Sequence, residues 1–541
     1  MKRSSLMRTV CAVAALMLGA GSAHAEWLRA ETDHFIIYGD TSRGAITSYA
    51  QKVERFDALL RVYYPIRIDH EIPKLEIFLA GGQDDMRRAS PGISPTIGGF
   101  YSPTGGRIHA VANTESAMAD DVIFHEYGHH FMFQMASNAY PAWFVEGFAE
   151  YYATVQIRNG RFQIGRINEG RMRSLNGSYY TWPPLSDVLR WRIDSRGRYR
   201  GADYYALSWA MAHYFLSDPE RRRKLGVYLN AVSEGADPVD ALPGTVGMTA
   251  EQLQAEIRSY VLGTMIYLTP QIDVPNPAVA VTAMTPDEGR LAWLDLRLDR
   301  MDPTEREITP TRLDGETDAA YEARTAEARA EYAEERADLI RDALAGAAVN
   351  PTDPASLKVR ARAQRLSGDD DAAVATLAPL LSDGSTDARA LRLAGEILLD
   401  QSMSNGEAAP AQVRQARGYL ARSLDLDPLD FQTYVALDRS RVNAEGYPSP
   451  NDLTTLQVAN ELAPQSFDVR MRYARALMAR DRDLEAVRML SPVANSPHAN
   501  ATRTQARVLL AQARADAGLS VEAAGEAPPE EAPGEDAGGG G

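Results

Sequence analysis

Residues 125–129 read His-Glu-Tyr-Gly-His, a spacing that predicts a helix with both histidines on one face. Residues four apart on a helix lie one above the other, so His125 and His129 can bind the same ion. Glu126 then lies beside the ion without binding it, where a carboxylate can deprotonate water. The motif predicts a zinc-dependent hydrolase that cleaves amide bonds. The alternative is that two histidines stack by chance on an amphipathic helix.

A second segment downstream offers a third metal ligand. Residues 143–151 read Trp-Phe-Val-Glu-Gly-Phe-Ala-Glu-Tyr and place Glu146 seventeen positions after His129. A catalytic zinc takes three protein ligands and keeps one position open. Residues 141–152 have helical character, and the small Gly147 allows this helix to approach the first one closely. We therefore expect Glu146 to complete a Zn²⁺ site.

The two segments HEYGHH and PAWFVEGFAEYY together resemble the gluzincins, the HExxH metallopeptidases whose third zinc ligand is a glutamate, and most closely their peptidase-MA-like branch. The resemblance covers roughly residues 26–262. It implies that His125, His129 and Glu146 bind zinc and that Glu126 is the general base. It also implies that Glu150, one helical turn after Glu146, accepts a hydrogen bond from a ligand histidine and fixes its orientation.

Two features of the resemblance are missing or undecided. We find no Gly-x-Met-Glu-Asn segment before the histidines, so recognition of a substrate N-terminus is not expected and endopeptidase action is favoured. Gluzincins also use a downstream Tyr or His to stabilise the oxyanion of the intermediate. Tyr204, Tyr205 and His213 are the candidates, and core packing is an alternative role for each of them.

The first 25 residues have the basic start, short apolar stretch and Ala-His-Ala end of a secretory signal peptide. We therefore expect an exported protein, periplasmic or secreted, without a membrane span. Cys11 is the only cysteine and lies in this leader, which leaves histidine and carboxylate as metal ligands. Loss of Lys2, Arg3 and Arg8 takes the formal net charge from −16 to −19, so nucleic acid is an unsuitable partner.

Composition changes along the chain and predicts several domains. The fold class expected is an α+β zincin-like peptidase domain followed by an all-α domain of tetratricopeptide-like helical repeats. We place a leader at 1–25, the peptidase domain at 26–266, a linker at 267–284, the repeats at 285–522 and a disordered acidic, Gly-rich tail at 523–541. Pro428 and Pro464, 36 residues apart, end two similar segments, close to the repeat length of a tetratricopeptide array.

Within the peptidase domain, residues 98–112 predict two strands around a Gly-rich turn. This hairpin is our candidate edge for pairing with an extended substrate, and an ordinary hairpin is the alternative. His109 in it is expected to be structural, because the ligand set is already complete.

The function expected is hydrolysis of a protein or peptide substrate, with the helical repeats offering a concave surface for a protein partner or for the substrate. The rival hypothesis is a periplasmic scaffold in which the repeats act alone and the peptidase domain is inactive. Because a relic has no need for a complete set of ligands, base and supporting carboxylate, the enzyme is favoured.

Overall fold

The computed structural model describes residues 26–65, 70–103, 106–116, 118–135, 138–158, 161–178, 181–190, 201–274, 276–301, 310, 316–404, 410–497 and 501–519. It shows a mixed α/β region that begins with a sheet, followed by a mostly helical C-terminal part. The leader at 1–25 and the tail at 523–541 lie outside the described residues.

One sheet organises the N-terminal region, and a small hairpin lies apart from it. The strands are Glu26–Glu31 (β1), Phe35–Thr41 (β2), Leu75–Ala80 (β3), Gly99–Ser102 (β4), His109–Asn113 (β5), Gln156–Arg158 (β6), Arg161–Gln163 (β7) and Ala280–Ala283 (β8). The sheet order is β4-β5-β3-β2-β1-β8, and β6 pairs with β7. Strands β2, β3 and β5 run parallel, whereas β1, β8 and β4 pair antiparallel with their neighbours.

Most helices of the N-terminal region pack on one face of the sheet or extend away from it, whereas Gln83–Ala89 contributes Met86 and Ala89 to a small core on the other face. They are Arg43–Tyr63 (α1), Gln83–Ala89 (α2), Ala119–Met135 (α3), Ala142–Ala153 (α4), Glu169–Gly177 (α5), Leu185–Leu189 (α6), Gly201–Leu216 (α7), Pro219–Ser233 (α8), Leu242–Thr245 (α9) and Ala250–Leu262 (α10). Helix α1 begins where the Ser42 side chain accepts from the backbone of Ala45. Its Phe56 stacks on Phe124 of α3 with ring centroids 4.0 Å apart, so α1 and α3 share the main core.

The C-terminal part is a run of helices, which we call the helical array from α12 onward. The helices are Pro286–Arg300 (α11), Asp318–Ala347 (α12), Pro354–Leu366 (α13), Asp370–Leu377 (α14), Ala388–Ser404 (α15), Pro410–Leu426 (α16), Phe431–Arg439 (α17), Pro450–Leu462 (α18), Phe467–Met478 (α19), Asp483–Ala494 (α20) and Ala501–Asp516 (α21). Successive helices pack on one another around several small cores. This agrees with the helical region expected from the sequence.

The boundary between the two parts differs from the one expected. Residues 267–284 were expected to be a linker, but Ala280–Ala283 forms β8 and pairs with β1. Leu268 also exchanges two backbone hydrogen bonds with Ile164, at 2.8 and 2.9 Å. The pairing partners of β8 are more than 200 residues away, so the local Pro-rich composition could not show that the segment belongs to the sheet.

Helix α11 likewise belongs with the sheet, although its sequence was expected to start the repeats. Trp293 packs edge to face on Trp27 of β1, with ring centroids 5.4 Å apart, and also contacts Phe78 of β3. Both tryptophans belong to a small core on the sheet face opposite α1. Helix α11 therefore covers the second sheet face together with α2.

No helix in the described part of the chain is long and apolar enough to cross a membrane.

Candidate metal centre

The first two candidate ligands lie on α3, as the four-residue spacing predicts. Asp120 and Asp121 occupy its first turn, where carboxylates interact favourably with the helix N-terminus. His125 and His129 bring their Nε2 atoms to 3.1 Å of each other, with ring planes 85° apart. Both lone-pair nitrogens thus face one point beside the helix.

The third candidate ligand comes from α4. Glu146 Oε2 lies 3.7 Å from His125 Nε2 and 3.5 Å from His129 Nε2, and the side chain is fully buried. One donor atom from each of the three residues lies within 4.8 Å of the others. Two imidazole nitrogens and a carboxylate oxygen are the donor set of catalytic zinc sites, so the three side chains fit this metal.

Two glycines allow the helices around the site to approach one another. A Cβ atom at Gly128 of α3 would lie 3.2 Å from Ala149 Cα of α4. At Gly147, a Cβ atom would lie 2.4 Å from the Ser208 carbonyl oxygen and 3.0 Å from Ala212 Cβ of α7. Helix α4 therefore packs closely between α3 and α7: Gly147 leaves no room for a Cβ atom and Gly128 leaves room only for a tight contact, and this packing sets the position of Glu146.

The protonation of the two histidines differs. Burial lowers the pKa of His125 to about 4, so its imidazole is neutral near pH 7. Burial alone would lower the pKa of His129 as well. The negative charges of Glu146 and Glu126 have the larger effect and raise the pKa of this ring. A neutral imidazole is the form that binds a metal.

Glu126, the candidate base, is half-buried beside the ligands. Burial raises its pKa to about 7, Glu146 and Glu150 add to the rise, and His129 opposes it. A carboxyl group with a pKa close to the operating pH is suited to accept and return a proton.

Glu150 faces the second ring nitrogen of His125. Its Oε1 atom lies 3.5 Å from His125 Nδ1. Arg171 donates to Oε1 at 2.7 Å, and Asn168 donates to Oε2 at 3.1 Å. The carboxylate is thus held on both oxygens by residues from the start of α5.

Asn168 and Arg171 are site residues that sequence reasoning missed. Asn168 also caps α5, because its Oδ1 accepts from the backbone of Arg171. The cap is readable from the sequence, but its contact with Glu150 is not.

The three candidate oxyanion donors lie in different environments along α7. Tyr205 is half-buried, and the Arg171 guanidinium lies 5.1 Å from its ring centre. Tyr204 is buried, and Glu146 contributes to the strong rise of its pKa after burial itself. His213 is engaged elsewhere: its Nε2 donates to the Gly165 carbonyl at 2.8 Å, and its Nδ1 accepts from Tyr260 at 2.8 Å.

The candidate substrate edge lies directly beside α3. Strand β4 is an edge of the sheet, and a Cβ atom at Gly99 would lie 3.0 Å from Val122 of α3. Tyr101 of the same strand places its hydroxyl 3.0 Å from His130 Nδ1. Glu126 and His130 are four residues apart, so Tyr101 approaches the face of α3 that carries the base. Sequence reasoning did not single out Tyr101 or His130.

Two other histidines are structural. His109 in β5 is buried and pairs through Nδ1 with the Arg107 carbonyl at 3.0 Å, as expected. His34 forms a cluster with Glu54 and Asp57 at 2.5 and 3.2 Å. Arg61 already donates to Asp57 at 2.7 Å, and a cation there would face the guanidinium charge. We therefore regard this cluster as an ion-pair network.

A family model described as "Protein of unknown function (DUF1570)" matches residues 121–240. The matched segment contains the candidate ligands, Glu126, Glu150 and the candidate donors on α7. No curated protein matches the chain.

Proposed function

We propose that this protein is a zinc-dependent peptidase of the gluzincin type. The observation that carries the proposal is the convergence of His125, His129 and Glu146 from two helices, with donor atoms within 4.8 Å of one another. Glu126 on the same helix turn supplies a carboxyl group for proton transfer. Such a set of ligands and base is that of metal-assisted hydrolysis.

A zinc ion held by these residues would polarise the carbonyl group to be cleaved and lower the pKa of water. Glu126 would take the proton of the attacking water and then deliver it to the leaving amine. Its pKa, raised to about 7, allows it to carry out both transfers near neutral pH.

Glu150 has a positioning role in this proposal. Facing His125 Nδ1, it favours the tautomer with the proton on that atom, which leaves the Nε2 lone pair directed at the metal. Arg171 and Asn168 keep the carboxylate in place.

Tyr205 and Tyr204 are the proposed donors to the oxyanion, and Tyr205 is favoured because it is the less buried of the two. The edge strand β4 is proposed to pair with the substrate backbone, which suits internal cleavage of an extended chain. Secretion to the periplasm or beyond is part of the proposal and rests on the leader sequence alone.

A comparison of two variants tests the proposal. Glu126→Gln keeps the size of the side chain and should bind zinc like the original chain, but kcat for an unfolded casein substrate should fall by about a thousandfold. His125→Ala should lose both zinc and activity. Glu169→Gln, at an exposed position of α5, is the matched control and should change neither.

Metal analysis and initial rates decide the outcome. Undiminished cleavage by Glu126→Gln would exclude the assigned base. If the original chain bound no zinc and cleaved nothing, the scaffold hypothesis would be favoured instead.

A further inference from the structure

The last helices of the array contact α3 just beyond the metal ligands. Phe133 lies four residues after His129 and eight after His125, so it continues the row of histidines on the same helix face. Its ring meets that of Phe467 in α19 edge to face, with centroids 5.9 Å apart. The array therefore covers one end of the histidine row.

A hydrogen bond also joins the array to the connection between α3 and α4, which precedes the helix of the third ligand. Asn495, at the end of α20, donates to the carbonyl of Ala139 in the connection between α3 and α4, at 3.2 Å.

The array also contacts the substrate-edge hairpin on the other side of the site. Ile108, in the turn between β4 and β5, packs on a buried cluster of α17, α18 and α19. The cluster consists of Phe431, Ala459, Leu462, Ala463 and Val469. Next to Ile108, Arg107 pairs with Asp295 and Asp299 of α11 at 2.7 Å. The array therefore spans from the hairpin to the end of α3.

We propose that helices α17–α21 form the outer wall of the cleft and that the enzyme accepts only extended, unstructured polypeptide, which enters between this wall and strand β4. The inference rests on the proposed peptidase function and assigns its substrate class. It also changes the role expected for the repeats. Instead of offering a separate concave surface, they would select the substrate by its shape at the candidate metal centre.

The sizes involved support this substrate class. An extended chain pairs with a sheet edge at about 5 Å and needs little more than its own width. A folded domain of 100 residues has a radius of gyration of about 13 Å and would reach the ligands only if the contacts of the array were broken. His125 keeps a side-chain exposure of 20%, so the ligands remain accessible to a narrow substrate.

A reversible lock on the array tests the proposal in the full chain. Ala139→Cys and Asn495→Cys place a cysteine pair at an existing contact, and Cys11→Ser removes the only native thiol. The pair is closed as a disulfide or, failing that, with a short bismaleimide. Each single cysteine variant is the matched control.

Two probes carry the same cleavable segment of about 20 residues, long enough to cross the cleft when extended. One is the free peptide, and the other joins two folded fluorescent domains by the same segment. Locking should change the rate of free-peptide cleavage by less than about twofold. It should slow cleavage of the joined probe by at least about tenfold, because the folded domains at its two ends cannot pass the closed wall. For the disulfide form, reduction should restore the rate.

If locking changed the cleavage rates of both probes by the same factor, or changed neither, the proposed wall would be wrong. The peptidase function would be unaffected by that result. Absence of zinc and of free-peptide cleavage in the unlocked chain would instead contradict the peptidase function. Phe467→Ala provides a second test, because loss of its contact with Phe133 should speed cleavage of the joined probe relative to the free peptide. An unchanged ratio in this variant would also overturn the wall.

Discussion

Glu150 shows how one residue links the metal site to its surroundings. It faces His125 on one side and accepts hydrogen bonds from Arg171 and Asn168 on the other. Carboxylates in this position orient the ligand imidazole and raise its basicity. The orientation of His125 therefore depends on residues outside the proposed set of metal ligands.

Replacing Arg171 tests this dependence. We expect Arg171→Met to leave the fold intact but weaken zinc binding by about 10- to 100-fold, because Glu150 loses its charged partner. A zinc titration in metal buffer measures the effect. The control is Arg173→Met, at an exposed position two residues later in α5, and equal affinities of the two variants would contradict the role of Arg171.

His213 makes a different prediction, for stability against pH. Burial lowers its folded-state pKa to about 4, whereas an unfolded histidine titrates near 6.5. Below pH 6.5 the unfolded chain therefore binds the extra proton, and stability falls by about 1.4 kcal/mol for each pH unit down to about pH 4. Urea unfolding between pH 7 and pH 4.5 should show a shallower decline for His213→Gln than for the original chain.

His34 is the control for this prediction, because its contribution to stability should change with pH in the opposite direction. Burial alone would lower its pKa, but hydrogen bonding to Glu54 and the charge of Asp57 raise it. Protonated His34 therefore stabilises the fold at low pH, and this stabilisation is lost as the pH rises through the raised pKa. His34→Gln should therefore make the decline toward acid steeper, and identical slopes in both variants would contradict these assignments.

The sequence predicted the residues related by helix spacing and missed those related only by folding. His125 and His129 follow from a four-residue period, whereas Glu146 was predicted from its own helical segment and Glu150 from the resemblance to the gluzincins. Arg171 and Tyr101 reach the site from other elements, and no spacing rule connects them with the motif. Their roles depend on packing that only the tertiary structure shows.

At the scale of elements, the site depends on close helix packing. Gly147 lets α4 rest on α7, and Gly128 lets α3 rest on α4. A glycine inside a helix costs up to about 1 kcal/mol relative to alanine, so its use here is explained by the contact it allows.

Alanine at Gly147 tests this packing. The added Cβ atom would meet backbone at 2.4 Å, and we expect Gly147→Ala to destabilise the fold by about 1–3 kcal/mol and to reduce zinc content by displacing Glu146. Thermal unfolding and metal analysis measure the two effects. Gly226→Ala in α8, where nothing lies within 4 Å of the new atom, should be neutral or slightly stabilising. Similar behaviour of the two variants would exclude the close contact as the cause.

For the whole molecule, the array and the sheet are joined by buried charges. Arg107 and Arg362 both pair with Asp295 and Asp299 of α11, at 2.7 to 2.9 Å. Burial raises the pKa of Asp295, but the surrounding arginines lower it well below its ordinary value. The network ties the hairpin, α11 and α13 into one unit.

Removing one charge of this network should lower the unfolding free energy of the protein. Arg107→Met leaves the buried Asp299 carboxylate and the partly exposed Asp295 carboxylate with less compensating charge, and we expect a loss of about 3 kcal/mol in unfolding free energy. Calorimetry should also show the helical array melting before the sheet region. Arg88→Met, which breaks an exposed ion pair with Asp85, should leave both transitions unchanged. A single unshifted transition in Arg107→Met would show that the network does not couple the two parts.

Strand β8 has a practical consequence for dividing the chain. A fragment that ends near residue 266, where composition changes, would lack both β8 and α11. Such a fragment would expose the backbone edge of β1 and the aromatic surface around Trp27 and Phe78, two features that promote aggregation. The shortest piece with a protected sheet extends to Arg300, and insolubility of a shorter one would say nothing about catalysis.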